Sequence, residues 1–392
     1  MKTYSSLVCA VCLLAVLVPA ALAQPLDCGA NAEILKTTIA GITNKLDYHG
    51  FTISGICNGP IIIRGFRDLN ISGTSGAVAK IQGGTGSVVN ITASENVTLS
   101  NLSIDGGGSS GLIAANHSKE VKVYAATLEN GTSGVICEFG SWCWVWDVDF
   151  KNISGNAIWA AGQSQFDVGV VTSYSSEPVA ITNSGVGIKA QERSQVDING
   201  NFSIASMNTN AVGIDVSSAQ VRTMNCSGTK SVIGARQGVN VSGNGEFIAN
   251  CPLTIQGNST GITAGASYVN LGDSVSIEGN GTSGQPGGPG GILARDGAVV
   301  TLAGSKVKNN FGIGMLLSNN VTGSISGAAE ILDNGGMGIL VTRRSALQLA
   351  PGYSISGNGT ADLVCSVQGT AYGDASGIAK KGLDCRTFEQ IQ

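Results

Sequence analysis

Histidine is almost missing from this chain: His49 and His117 are the only two in 392 residues. Beyond the first 23 residues no C-x-x-C pair compensates, so the usual ligand sets for zinc are absent there, and neither a metal nor any other cofactor is expected. Charge is scarce as well. Asp, Glu, Lys and Arg make up 12% of the chain with a net charge of −4, and without a basic excess nucleic acid is not an expected partner. Beyond residue 23 no stretch approaches the roughly 20 uninterrupted apolar residues of a membrane helix, so no membrane span is expected. There are 8 prolines and 5% aromatics, yet hydrophobic residues reach 42%, too many for a disordered chain.

What is plentiful is glycine, at 57 residues. Residues 1–23 read as an export signal: Lys2 precedes the apolar run Leu7 to Val18, and Ala21-Leu22-Ala23 has the small-residue pattern of a cleavage site. A secreted protein starting at Gln24 is expected, whether extracellular, on a cell surface or periplasmic. Cys9 and Cys12 leave with that segment. The other eight cysteines are Cys28, Cys57, Cys137, Cys143, Cys226, Cys251, Cys365 and Cys385, and an even number in an oxidising compartment reads as disulfides.

The glycines are periodic. A Gly-Ile or Gly-Val step recurs at Gly187, Gly213, Gly238, Gly261, Gly291, Gly312 and Gly338, a spacing of about 25 residues. Alternating apolar pairs such as Val97/Leu99, Val121/Val123, Cys143/Val145, Phe166/Val168, Val196/Ile198 and Val269/Leu271 follow the step. A third apolar position precedes a turn asparagine, as in Ile255 before Asn258, Ile277 before Asn280 and Ile355 before Asn358. Three short strands per repeat cannot bury an apolar side alone, so successive repeats must stack at the roughly 4.8 Å spacing of paired strands. The expected fold is all-β, a single-stranded parallel β-helix of about 11 to 13 turns. Residues 24–60 are expected as an N-terminal cap with a helix over Ala32 to Ile42, 61–365 as the solenoid and 366–392 as a C-terminal cap. Ser173 to Ser184 and Gly281 to Gly290 read as loop insertions.

Cys226 and Cys251 are one repeat apart, which places them on neighbouring turns within disulfide reach. Locality in a solenoid then pairs Cys28 with Cys57, Cys137 with Cys143 and Cys365 with Cys385.

The run ENVTLSNLSIDGGG at Glu95 to Gly108, with CGANAEILKTTIAG and ISGICNGPIIIRG nearer the N-terminus, resembles the right-handed parallel β-helix proteins of the pectin-lyase-like superfamily. The resemblance implies that fold and a polysaccharide as partner. It supplies no catalytic residue. The paired aspartates and G-H-G of its polygalacturonase-like hydrolases, the R-x-P-x-x-R of its pectate-lyase-like enzymes and the D-P-H-D of its epimerase-like members are all absent.

Residues between an inward pair face solvent, and all four tryptophans of the chain fall between 142 and 159. Trp142, Trp144 and Trp146 alternate on one strand, with Tyr124 on the turn before and Asp197 nearby. A flat apolar platform flanked by polar groups suits stacking on sugar rings, so these five are the candidate ligand-binding residues. Contact with a second copy through Trp142 to Trp146 is the competing use. Glu120 with Asp167 as an inverting carboxylate pair, or Lys122 as a proton-abstracting base, are the candidates for catalysis. Three functions therefore stay open: a polysaccharide-binding or polysaccharide-modifying exoprotein, a non-catalytic structural or adhesive surface protein, and a lyase or hydrolase lacking the known motifs. Fourteen N-x-S/T sequons are present. They read either as glycan acceptors or, at Asn258, Asn280 and Asn358, as stacked turn residues that no glycan reaches.

Overall fold

The structure is a computed structural model describing residues 23–108, 110–169, 178–205, 210–379 and 385. The expected export signal, the first part of the 173–184 insertion and most of the C-terminal cap beyond 379 lie outside the described residues.

Every paired strand runs parallel to the equivalent strand one repeat away, because a strand with one apolar side finds its match in the next copy of the same pattern. The described residues form one sheet of 13 strands and one of 25. The larger sheet is two faces of the solenoid. The strands Tyr48–Asn58, Lys119–Glu129 and Trp142–Lys151 run unbroken round the corner between those faces and so join them. The first face holds Lys119–Tyr124 and Trp142–Trp146, the second Ala126–Glu129 and Val148–Lys151, and the third is the 13-stranded sheet.

The parallel solenoid expected from the repeat is therefore the fold formed, with about 14 turns rather than 11 to 13. The undercount has a physical cause. Gln24–Asp27 already pairs with Phe51–Ser54 inside the segment read as a cap, and the earliest turns carry Val88-Val89 and Leu112-Ile113 where later turns carry the Gly-Ile step. Inward residues on the first face, such as Val97, Val121, Cys143, Phe166, Val196 and Val221, are all buried. The helix is Ile34–Gly41, with Leu35 and Ile39 buried against the first turns. All four expected disulfides form, with Cα separations of 4.9 Å (Cys28–Cys57), 6.2 Å (Cys137–Cys143), 4.6 Å (Cys226–Cys251) and 4.7 Å (Cys365–Cys385).

The turn asparagines form an internal ladder. The side-chain amide of Asn258 donates to Oδ1 of Asn280 at 3.0 Å, Asn280 to Asn310 at 3.0 Å, Asn310 to Asn334 at 2.9 Å, and Asn334 to Asn358 at 2.9 Å. Asn358 ends the chain on Oδ1 of Asp362 at 2.8 Å. From Gly238 onward the glycine of the step makes room for it, with Gly314 rather than Gly312 standing in register with Gly291 and Gly338: a Cβ on Gly238, Gly261 or Gly314 would stand 2.9, 3.1 or 2.7 Å from the amide nitrogen of Asn258, Asn280 or Asn334. Glycine row and asparagine row are thus two halves of one packing device. Asn258 and Asn280 are buried with their amide nitrogens committed, so neither sequon can carry a glycan in the folded chain, whereas Asn225 and Asn320 are exposed.

Lys230 is a charged residue at an inward position that is apolar on the preceding turn. Lys230 pairs in register with Phe202 and is 2% exposed, its ammonium donating to the carbonyls of Asn225 at 3.1 Å and Ser227 at 3.3 Å. Burial pushes it below its ordinary value of 10.5. The unfolded chain therefore binds more protons between the lowered value and 10.5, and stability gains with pH across that window. Lys230→Met should remove this gain, so denaturation midpoints of the two proteins should differ more at neutral pH than above pH ~10.5. An equal difference at both would show that folding leaves the proton affinity of Lys230 unchanged.

Candidate functional site

Strand register fixes the outer row of the first face: Thr98, Lys122, Trp144, Asp167, Asp197 and Arg222 follow one another on successive turns. The next row along the strands holds Ser100, Tyr124 and Trp146. Alternation points all of these side chains away from the core, and all three tryptophans of the strand are half-buried.

The rings do not make one flat platform. Trp142 and Trp144 meet edge to face, with centroids 4.8 Å apart and planes at 82°, because both indole N–H groups converge on Oδ2 of Asp167 at 2.7 Å. Gln165 donates to the same oxygen at 3.4 Å, and Asn199 to Oδ1 at 3.2 Å. Trp146 lies parallel to Tyr124, 4.6 Å between centroids and 9° between planes. The ammonium of Lys122 sits 5.0 Å from the Trp144 ring centre, while donating to Asn96 Oδ1 at 2.8 Å and pairing with Glu120 at 3.1 Å.

These contacts assign tasks. Asp167 orients two indoles. Asp197 is 6% exposed, and both its oxygens accept from Arg222 at 2.8 Å, with Gln195 adding a third bond at 2.7 Å. The carboxylate in turn raises the affinity of the guanidinium for its proton. A carboxylate so enclosed braces the face from within it. Glu120 and Asp167 lie on strands two apart, but the first is paired with Lys122 and the second is enclosed by four donors. Among the described residues no group of His, Cys, Asp and Glu is arranged to hold a metal.

Asp167→Ala leaves two half-buried indole N–H groups without their shared charged acceptor. A loss of about 2 kcal/mol in stability is expected, with a change in near-ultraviolet circular dichroism as Trp142 and Trp144 lose their fixed angle. An unaltered spectrum would mean that the rings are held by packing alone.

A groove of about 340 Å³ opens on the N-terminal side of this cluster, lined by Tyr48, Asp68, Asn96, Lys122, Tyr124 and Trp146. It exists because Tyr124 is followed toward the N-terminus by Ser100 and Ser72 in the same row. The ring of Tyr124 stacks on Trp146 with one face and borders that step down with the other. The sequence offers Tyr124 and Trp146 as ligand-binding candidates and Lys122 as a catalytic one, and the groove brings these together with Tyr48, Asp68 and Asn96, which are not among the candidates. Asn96 donates to Asp68 at 2.6 Å, and the alternation of Asn96 and Thr98 about Val97 was the available signal. Tyr48 was hidden by the assignment of its segment to a cap.

No protein-family model and no curated protein matches the chain. Among solved structures it is similar to the A-modules of two Azotobacter vinelandii mannuronan C-5 epimerases. Identities are 12% and 11% and TM-scores 0.46 and 0.43, over 93% and 91% of this chain and 96% and 94% of theirs. It is also similar to an alginate lyase from Paenibacillus sp. str. FPU-7, at 12% identity and a TM-score of 0.29 over 91% of this chain and 99% of the other. These are likenesses of winding, and they transfer no residue role.

Proposed function

We propose that this is an exported protein that binds extracellular polysaccharide on the first face of its solenoid, with no catalytic group of its own there. The observation that carries this is the groove beside the Tyr124–Trp146 stack, where an aromatic ring face stands next to Asp68, Asn96 and Lys122. A sugar ring presents C–H groups on one side and hydroxyls at its rim, which an aromatic face and converging donors and acceptors match. Catalysis is set aside because Glu120, Lys122 and Asp167 are each committed to a neighbour. Export is supported by the four disulfides, which persist in oxidising compartments.

The test is titration of the purified protein with neutral and acidic polysaccharides, following tryptophan fluorescence. A saturable change with at least one glycan, without new reducing ends or unsaturated products, is the expected result. No change with any glycan, together with a Trp144→Ala protein of altered oligomeric size, would overturn the reading in favour of a contact between copies.

A further inference from the structure

We infer that the glycan surface does not stop at the first face but continues round the corner joining it to the third face, with His117 and Phe139 as an additional subsite for a sugar ring. The inference rests on the binding role proposed for the first face.

That corner is a row of left-handed residues, one per turn: Ala93 (φ 49°), His117 (50°), Phe139 (55°), Gly162 (61°), Glu192 (57°) and Ser218 (51°). Such a position favours glycine or a short polar side chain and penalises a bulky one. Phe139 also gains little from burial, being 56% exposed. Neither backbone preference nor the hydrophobic effect accounts for an aromatic residue there.

Its surroundings do resemble the Tyr124 site. The ring lies flat against His117, with centroids 5.3 Å apart and planes at 9°. Gly162, next in the row, has no side chain to cover the opposite ring face. Grooves open on both sides of the pair and meet at His117: one of about 670 Å³ lined by Gln163, Glu192 and Arg193, the other of about 510 Å³ lined by Arg67, Glu95 and Lys119. The first, which Phe139 itself lines, offers Glu192 and Arg193 to the hydroxyls of a ring stacked on Phe139, and the second continues the polar rim beyond His117.

The two sites share the same two turns. His117 precedes Lys122 and Tyr124 on one turn, and Phe139 precedes Trp142, Trp144 and Trp146 on the next. From His117 to Tyr124 is about 20 Å of extended chain. The occupant that fits is a linear glycan of several residues lying along the strands, at right angles to the solenoid axis.

With only two histidines in the chain, the His117 imidazole gives an NMR signal that reports on the corner, while tryptophan fluorescence, read with Trp159 of the third face replaced by Phe in every protein compared, reports on the first face. Fragments of increasing length from a glycan that binds are added to wild type and to Phe139→Asn. Asparagine suits the left-handed backbone, so the variant should fold as well as wild type, and because it completes an N-x-S sequence with Gly140 and Ser141, both proteins are produced in a host that adds no N-linked glycan. Short fragments should move the fluorescence only, and long ones should move both signals, binding the variant about fivefold more weakly. Long fragments that move the fluorescence but leave His117 and the Phe139→Asn affinity unchanged overturn the corner subsite and leave the first face standing. A glycan that moves His117 alone supports the corner and refutes its continuity with the tryptophans, and silence from both signals overturns both.

Discussion

Asn280→Ala should lower the apparent unfolding free energy by about 4 kcal/mol. The fully buried side chain makes four hydrogen bonds. Its Oδ1 accepts from the backbone N–H and the amide of Asn258, both at 3.0 Å, and its amide donates to the carbonyl of Ile255 at 3.0 Å and to Oδ1 of Asn310 at 3.0 Å. Alanine abandons all of these buried partners. Each orphaned group costs roughly 1–3 kcal/mol, discounted because neighbouring turns relax. Asn280→Asp should cost more, since it keeps the acceptor but turns a donor into a charge facing Oδ1 of Asn310. Aspartate is tolerated at Asp362 because there the ladder ends and the residue only accepts, from the N–H of Asn358 at 3.4 Å and its amide at 2.8 Å. Denaturant titration by far-ultraviolet circular dichroism measures the loss. A solenoid need not unfold in one step, so the early part of the transition is the part to compare. A midpoint within error of wild type for Asn280→Ala would mean that the amides do not carry the turns.

The same device explains how much of the fold was legible. The Gly-Ile step and the turn asparagine were both visible as periodic signals, because each repeat must solve the same steric problem at the same place. Gly187 and Gly213 keep the glycine without a ladder asparagine, since a Cβ there would meet Ile204 or Val232, whereas the earliest turns accommodate Val88 and Leu112 in its place. Counting steps therefore missed turns that the strand alternation alone would have found. The disulfide between Cys226 and Cys251 was legible for the same reason that the ladder was: in a stack, one period in sequence is one spacing in space. The site was only half legible. Register revealed which residues share the outer face, so Tyr124, Trp144 and Trp146 were found. Which way a ring turns depends on rotamers and shared acceptors, and nothing in the spacing of Trp142 and Trp144 announces that Asp167 will draw both indoles to one oxygen. Lys230 was illegible too, since its position in the repeat is apolar elsewhere and its partners are backbone carbonyls.

Tyr124→Ala combined with Trp146→Ala should weaken binding of a recognised polysaccharide about 50-fold. An aromatic ring that stacks on a sugar contributes its buried area and about 0.5–1.5 kcal/mol beyond it, and here one ring makes the contact while the other holds it upright. The single changes separate these parts. Tyr124→Ala removes the ring face itself and should account for most of the loss, whereas Trp146→Ala leaves Tyr124 free to rotate and should cost less. Neither side chain reaches the core, so unfolding midpoints should move little, and affinity measured by calorimetry reports on the surface alone. Lys122→Met provides the contrast: it removes the cation over Trp144 and the donor to Asn96 but no ring face, so it should weaken binding severalfold for an acidic glycan and less for a neutral one, with the difference fading as salt is raised. Unchanged affinity in the double variant would remove the groove beside Tyr124 from the binding surface, and any remaining glycan response would have to come from Trp142 and Trp144 across the bound carboxylate of Asp167.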